Sequence, residues 1–324
     1  MPDYLNLADW AARLAPDGSI PVIVEYMKKV NKILDDMPWV EGNLPTGHRT
    51  VIRTGLPDVA WRLLNYGVQP SKSTTKAVTD TTGLLEAWSR IDQKLAELGG
   101  NVKKFRFSED TAFMMSMGKE LANTIFYGDT STDPEKFLGL APRYSSLSAP
   151  NASNIIDAGG SSNLTSIWLC VWGPSTLFGF FPQGSTAGLK HEDLGLETAS
   201  DSAGGLYRVY TSHFTWDAGL CLKDWRYVCR IANIDVTGLK KDASSGADLI
   251  DLMVQAAETV EDLEVGTPAF YCNRTISSFL HRQALNAKNV QLRFDEVAGK
   301  PVLKFMGIPI RRVDALKETE GQVS

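Results

Sequence analysis

A chain of 324 residues with 43% hydrophobic and 22% charged side chains has the apolar material for a substantial core, and its composition excludes disordered, collagenous and disulfide-framework classes. A formal charge of −5 excludes a protein that holds nucleic acid through a broad basic surface. No apolar run approaches the roughly 20 residues of a membrane-spanning helix, so no membrane association is expected.

The chain opens with a short helix to about Ala15. Asn6 is its N-cap, Leu7, Ala11 and Leu14 form one face, and Pro16-Asp17-Gly18 breaks it. A second amphipathic helix is expected over Pro21–Met37, with Ile23, Tyr26, Met27, Val30, Ile33, Leu34 and Met37 at helical spacing. Two small helices ahead of any core-like segment form an arm that needs another surface to pack on. From Glu41 to Arg90 turn-formers recur, with strand-prone pieces at His48–Thr54 and Lys76–Thr82. Two extended pieces joined by a long connection predict a projecting hairpin. Alone in water it is marginal, so it points to a partner chain, a mobile loop being the plainer alternative.

A helix is expected over Leu84–Leu98, stopped by Gly99-Gly100. A longer one is expected over about 108–127, N-capped by Ser108 with Glu109 and Asp110 in its first turn. Phe113, Met114, Met117, Leu121 and Ile125 make its apolar stripe, and Gly128 stands at the C′ position. Strands are expected at Ser166–Trp172, Leu177–Phe181, Leu206–Phe214 and Trp216–Ile234. The last turns or bulges near Asp217–Gly219 or Lys223-Asp224. Gly184–Gly205 reads as a long Gly- and Ser-rich loop. After a polar break at Lys240–Gly246 come a helix over Ala247–Leu263, a buried strand at Ala269–Cys272, a helix capped by Asn273 over Arg274–Leu285, and β segments at Gln291–Phe294, Pro301–Pro309 and Ile308–Val313.

Chemistry-bearing patterns are missing from the sequence. It contains no Walker A motif, no GxGxxG after a strand and no GxSxG elbow. The four histidines, His48, His191, His213 and His281, show no zinc-ligand spacing, and Cys170, Cys221, Cys229 and Cys272 show no CxxC. Each cysteine sits in an apolar strand-like stretch and reads as a buried thiol of a reducing cytoplasm. His191-Glu192-Asp193 is the one acidic cluster with a histidine. Consecutive residues on an extended chain alternate faces, so the three do not converge on one ion.

Two stretches carry a family resemblance. The first runs from Asn154-Ile-Ile-Asp-Ala-Gly-Gly through Ser166-Ile-Trp-Leu-Cys-Val-Trp-Gly and Lys190-His-Glu-Asp-Leu-Gly to Asp224-Trp-Arg-Tyr-Val-Cys-Arg-Ile-Ala-Asn-Ile-Asp. The second joins Ala269-Phe-Tyr-Cys-Asn-Arg-Thr to Phe305-Met-Gly-Ile-Pro-Ile-Arg-Arg-Val-Asp-Ala-Leu. Both resemble tailed-bacteriophage major capsid proteins, especially those of short-tailed phages such as the Bordetella phage.

The resemblance implies an α+β chain with the Hong Kong 97-like (HK97-like) capsid fold. Its parts would be an N-terminal arm (1–40), an E-loop hairpin and flank (41–90), a peripheral domain with spine helix 108–127 (mainly 91–240) and an axial domain (mainly 241–324). The strand-Asn-helix unit that ends in a Gly-x-Pro strand usually precedes the late peripheral strands. Here the matching unit, Phe270–Pro309, comes last, which implies permuted connectivity.

The implied function is a shell subunit assembling with itself into pentamers and hexamers of an icosahedral virion, built in the host cytoplasm. Portal and scaffolding proteins and a cement protein are implied partners, and double-stranded DNA is enclosed without sequence-specific contact. Catalytic residues, cofactors and metals are expected to be none. The residues expected at inter-subunit contacts are Trp10 and Tyr26 on the arm and Trp61, Leu63 and Tyr66 on the hairpin. Lys72 and Lys76 lie on the hairpin, but no carboxylate arrangement marks a catalyst for a Lys–Asn crosslink, so non-covalent joints are expected. The alternatives are an encapsulin-like nanocompartment shell of the same fold and a cytoplasmic enzyme of novel type.

Overall fold

The computed structural model describes residues 32–98, 100–239, 248–284, 292–297 and 300–324. The first expected helix, Trp10 and Tyr26 lie outside the described residues. α1 (Ile33–Asp36) falls within the helix expected over 21–37, and β1 (Trp39–Glu41) follows. β2 (Gly47–Gly55) and β3 (Thr74–Thr81) pair antiparallel, from Gly47↔Thr81 to Gly55↔Thr74, as a separate two-stranded ribbon. The expected hairpin is therefore present.

The helix expected over Leu84–Leu98 is instead a strand for most of its length. β4 (Gly83–Asp92) precedes a short α2 (Gln93–Leu98). Good helix formers conceal a period of two: Ser89 and Ile91 are buried and Leu85 and Ala87 half-buried, while Leu84, Glu86, Trp88 and Arg90 face outward. α3 (Val102–Tyr127) has 26 residues, about 39 Å at 1.5 Å per residue. It starts six residues before Ser108, because Asn101 is the N-cap and accepts a hydrogen bond from the Lys104 amide. Lys103, Lys104 and Arg106 occupy its first turns, where the helix dipole disfavours cations, so the carboxylates after Ser108 looked like the better start. Gly128 ends the helix with φ −58°, not in the left-handed region. Its requirement is space: a Cβ there would lie 2.3 Å from the Phe137 carbonyl.

The chain continues through α4 (Leu140–Arg143), β5 (Ile155–Asp157), β6 (Leu164–Trp172), β7 (Leu177–Phe181), β8 (Lys190–Ser200), β9 (Leu206–Leu222) and β10 (Val228–Asp235). The region expected to be a loop over 184–205 contains β8, whose first five residues are all exposed, so no apolar alternation announces it. β9 runs unbroken through Asp217–Gly219, and the break falls at Lys223-Asp224 with a single 3-10 turn at Trp225–Tyr227. The last third holds α5 (Leu249–Thr259), β11 (Thr267–Cys272), α6 (Arg274–Ala284), β12 (Leu292–Val297), β13 (Lys300–Phe305) and β14 (Ile308–Arg312). Asn273 caps α6 as expected, accepting from the Ile276 amide at 2.8 Å.

The main sheet follows the order β12-β13-β14-β11-β6-β7-β9-β4, with β10 on β6 and β8 on β9. Every residue of β6 is buried, as suits a strand covered on both faces. Trp168, Cys170 and Trp172 share one core with Leu121, Ile125 and Phe126 of α3. Ile167, Leu169 and Val171 share the other with Leu249, Met253 and Ala256 of α5 and Ile276, Phe279 and Leu280 of α6. The result is a helix–sheet–helix sandwich. β9 extends it, because Gly219–Leu222 pair with β7 while residues 209–218 pair with β4.

A buried ionic cluster closes the centre. Arg230 on β10 pairs with Glu320 at 2.8 Å, with side chains 5% and 4% exposed. Arg230 also donates to Ser166 Oγ at 3.0 Å and the Tyr144 carbonyl at 2.8 Å, and its guanidinium lies over the Trp168 ring. Glu320 accepts from Ser166 and from the Tyr127 hydroxyl at the end of α3. Burial and the Glu320 carboxylate push the Tyr127 hydroxyl pKa far up, so it stays a donor. Replacing Glu320→Ala leaves a buried cation unpaired and is expected to cost about 3–5 kcal/mol, seen as a lower urea midpoint at unchanged slope.

All four cysteines are buried and free. Burial pushes the thiols of Cys229 and Cys272 up to about 12, and burial together with the nearby Asp80 carboxylate does the same for Cys221. Cys170 is raised for the first reason, with Cys229 adding to it. At pH 8 a thiol reagent is expected to label none of them in the folded protein and all four after denaturation.

Candidate assembly surface

The β2–β3 hairpin divides into a locked root and an unpacked tip. At the root, the Asn43 side chain accepts from the Arg49 amide at 2.7 Å and donates to the Arg49 carbonyl at 2.8 Å. The Thr82 amide donates to the Thr46 carbonyl, and Gly47 lies so close to the partner strand that a Cβ would stand 2.4 Å from the Asp80 carbonyl. His48 rests against Phe178 and Phe180, with ring centroids 5.4 and 5.6 Å away. Burial holds its imidazole below the ordinary value, so it is neutral at pH 7. Asp80 pairs with Arg143 at 2.8 Å, both largely buried, and Arg143 also donates to the carbonyls of Leu138 and Leu220. The hairpin is thereby fastened to α4 and β9.

The tip, residues 56–73, has no regular structure. Asn65 adopts φ 70° in a turn closed by the Tyr66 amide on the Leu63 carbonyl, and Ser71 donates to the Asp58 carbonyl. Those few bonds hold a strongly apolar surface in water. Trp61 is 104% exposed, Val59 90%, and Leu56, Leu63, Leu64 and Tyr66 are exposed as well. The structure thus brings the expected Trp61, Leu63 and Tyr66 together on one tip. Leu56, Val59 and Leu64 belong with them and were missed, although apolar residues over 56–70 without helix or strand period were a usable signal. Trp and Tyr dominate the energetics of interfaces, and contiguous apolar surface of this kind marks one.

Elsewhere the chemistry candidates separate. The His191 ring stacks on Phe214, Asp193 is bonded by Arg106, and Glu192 lies opposite His213 on β9. The Arg106 guanidinium holds the Asp193 carboxyl below the usual range. Among the described residues no group of three or more His, Cys, Asp and Glu could hold a metal ion, and no helix is long and apolar enough to cross a membrane.

A mixed α/β subunit with a long helix beneath a central sheet and a two-stranded ribbon standing off the body has the HK97-like capsid fold. Residues 15–324 match the family model for major capsid protein GP7, and the chain belongs to that family. It is 40% identical to a chain in the near-atomic structure of bacteriophage Epsilon15, with a TM-score of 0.77, covering 99% of this chain and 98% of that one. Weaker likenesses include the SrpI encapsulin of Synechococcus elongatus PCC 7942 (10% identity, TM-score 0.46, covering 73% and 99%). Mycobacterium phage Bobi is another (11% identity, TM-score 0.43, covering 71% and 98%). No curated protein matches the chain. The chain is a major capsid protein of a tailed phage, a structural component of the virion capsid and not an enzyme.

Root and tip should respond oppositely to substitution. Asp80→Ala leaves Arg143 unpaired in the interior and is expected to cost about 3–5 kcal/mol in urea unfolding of the free subunit. The triple change Trp61→Ala, Leu63→Ala, Tyr66→Ala is expected to shift the same stability by less than about 0.5 kcal/mol, because those side chains are mostly exposed.

Proposed function

We propose that the hairpin is the principal joint between subunits of the shell, with Trp61, Leu63 and Tyr66 as its anchors and the arm residues Trp10 and Tyr26 as a second joint. The observation that carries this reading is the contrast within one element, an immobilised root bearing an apolar, solvent-exposed tip. Fixing the root lowers the ordering cost of docking, and the apolar tip supplies the driving force, roughly 1.5–3 kcal/mol for each large side chain fully buried. Each joint is modest. Repetition around a closed shell makes it cooperative.

The division into arm, hairpin, peripheral domain with α3 as spine, and axial domain is part of this proposal, as is the permuted connectivity. Support for the latter is the chain order, with β11, Asn273, α6 and the Gly307-Ile308-Pro309 strand following β6–β10. Kinship with the Bordetella type rests on the motifs in 154–160, 166–173 and 224–235. The shell would enclose double-stranded DNA, meet portal and scaffolding proteins, and rely on non-covalent joints that a cement protein could reinforce.

Replacing the tip, residues 56–73, by a short Gly-Ser turn keeps the Asp80–Arg143 root and is expected to leave soluble subunits that form no shells by electron microscopy. Shells of normal size and yield from that replacement would refute the joint.

A further inference from the structure

Residues 313–324, which follow β14, form no helix and no strand. Val313, Leu316 and Val323 are nevertheless buried in the core that α3 shares with β6. The backbone of this segment is held by elements far apart in the chain. The Val313 amide donates to the Cys272 carbonyl at the end of β11, the Lys317 amide to the Tyr127 hydroxyl at the end of α3, and the Glu320 amide to the Leu164 carbonyl at the start of β6. Asn233 of β10 accepts from the Val323 amide and donates to the Val323 carbonyl, both at 2.9 Å.

The groove under this segment is built by the rest of the chain. Thr165, fully buried, accepts from Asn273 while it donates to the Lys317 carbonyl. Asn233 stands at φ 57° and also donates to Asp157. Arg230 is fixed by the Tyr144 carbonyl and the Trp168 ring, and Glu320 of the segment supplies its carboxylate.

This network reaches the hairpin root. Tyr144, whose carbonyl Arg230 holds, follows Arg143, which pairs with Asp80 of β3. Glu320, Arg230, Tyr144, Arg143 and Asp80 therefore form one line of contacts, each polar link 2.8 Å long. Ser146 and Leu147, just beyond Tyr144, add a second tie by donating to the Ser324 carbonyl.

We infer that residues 313–324 are a clasp whose closure sets the hairpin root, so that the subunit is competent for assembly only with the clasp seated. This rests on the hairpin joint proposed above and adds the element that controls it. An open clasp leaves the Arg230 cation without its carboxylate and takes the second tie from the loop that carries Arg143. The root then has an anchor that moves, and the tip is no longer aimed. Clasp open and clasp closed are the two arrangements that such coupling requires.

The test uses the full chain. In a double-mutant cycle of Glu320→Gln and Asp80→Asn, read by urea unfolding of the free subunit, the pair is expected to raise the unfolding equilibrium constant by about ten-fold less than the product of the separate effects. Effects that simply multiply overturn the coupling. Should Glu320→Gln not fold, Val323→Ala takes its place, with a shortfall of about three-fold expected and a plain product again overturning the coupling. Shell yield then tests control of assembly, using whichever clasp variant folds. Ile276→Ala, which opens a cavity in the other core, is the control. At a temperature where both are folded by circular dichroism, the clasp variant is expected to form about ten-fold fewer shells than the control. Equal yields overturn the clasp's hold on assembly. Shells formed without the tip, residues 56–73, would instead overturn the joint on which it rests.

Discussion

A strand buried on both faces governs the arrangement of this subunit. β6 presents Trp168, Cys170 and Trp172 to the long helix and Ile167, Leu169 and Val171 to the two later helices, so neither layer can shift without opening a core. Its neighbours inherit that constraint. β10 brings Arg230 to the buried carboxylate of Glu320, and Tyr127 at the end of α3 donates to the same carboxylate. β7 and β9 carry the sheet outward to the place where the hairpin is rooted. An exposed ribbon can be aimed only if its base does not move, and here the base is bonded to elements fixed by that central strand.

Exposed large apolar side chains occur elsewhere, at Leu84, Phe107 and Leu206, but the hairpin tip gathers six of them within residues 56–66. The hairpin's root is fixed by the Asn43–Arg49 hydrogen bonds and the Asp80–Arg143 ion pair, while its tip displays tryptophan, leucine and tyrosine to water. An enzyme would have such side chains over a site, and a stable monomer would bury them. A subunit whose working state is a shell can expose them in the free form, because burial is deferred until a neighbour arrives. Family membership supplies the shell; the distribution of apolar area identifies the part of the chain that answers to it.

Much of this was legible in the sequence because it rests on local rules. The paired β2 and β3, the all-buried β6, the Asn273 cap and the scattered, unreactive cysteines follow from turn residues, apolar runs and spacing. Three features were not legible, each for a physical reason. β4 is built from Leu, Ala, Glu and Arg, which favour helices, and only pairing with the distant β9 makes it a strand. β8 has no buried face to impose alternation. The start of α3 carries cations where an isolated helix would prefer carboxylates, and tertiary packing of Phe105 outweighs that preference. Trp61, Leu63 and Tyr66 could be singled out early, because apolar residues in a turn-rich stretch need no tertiary information to be noticed.

The central claim is that burial of the hairpin tip is postponed from folding to assembly. Amide hydrogen exchange compared between free subunits and finished shells tests it most directly. Amides of residues 56–73 are expected to exchange within seconds in the free subunit and to be strongly protected in the shell, while those of β6 are protected in both. Equal, fast exchange of the tip in the two states would contradict the account.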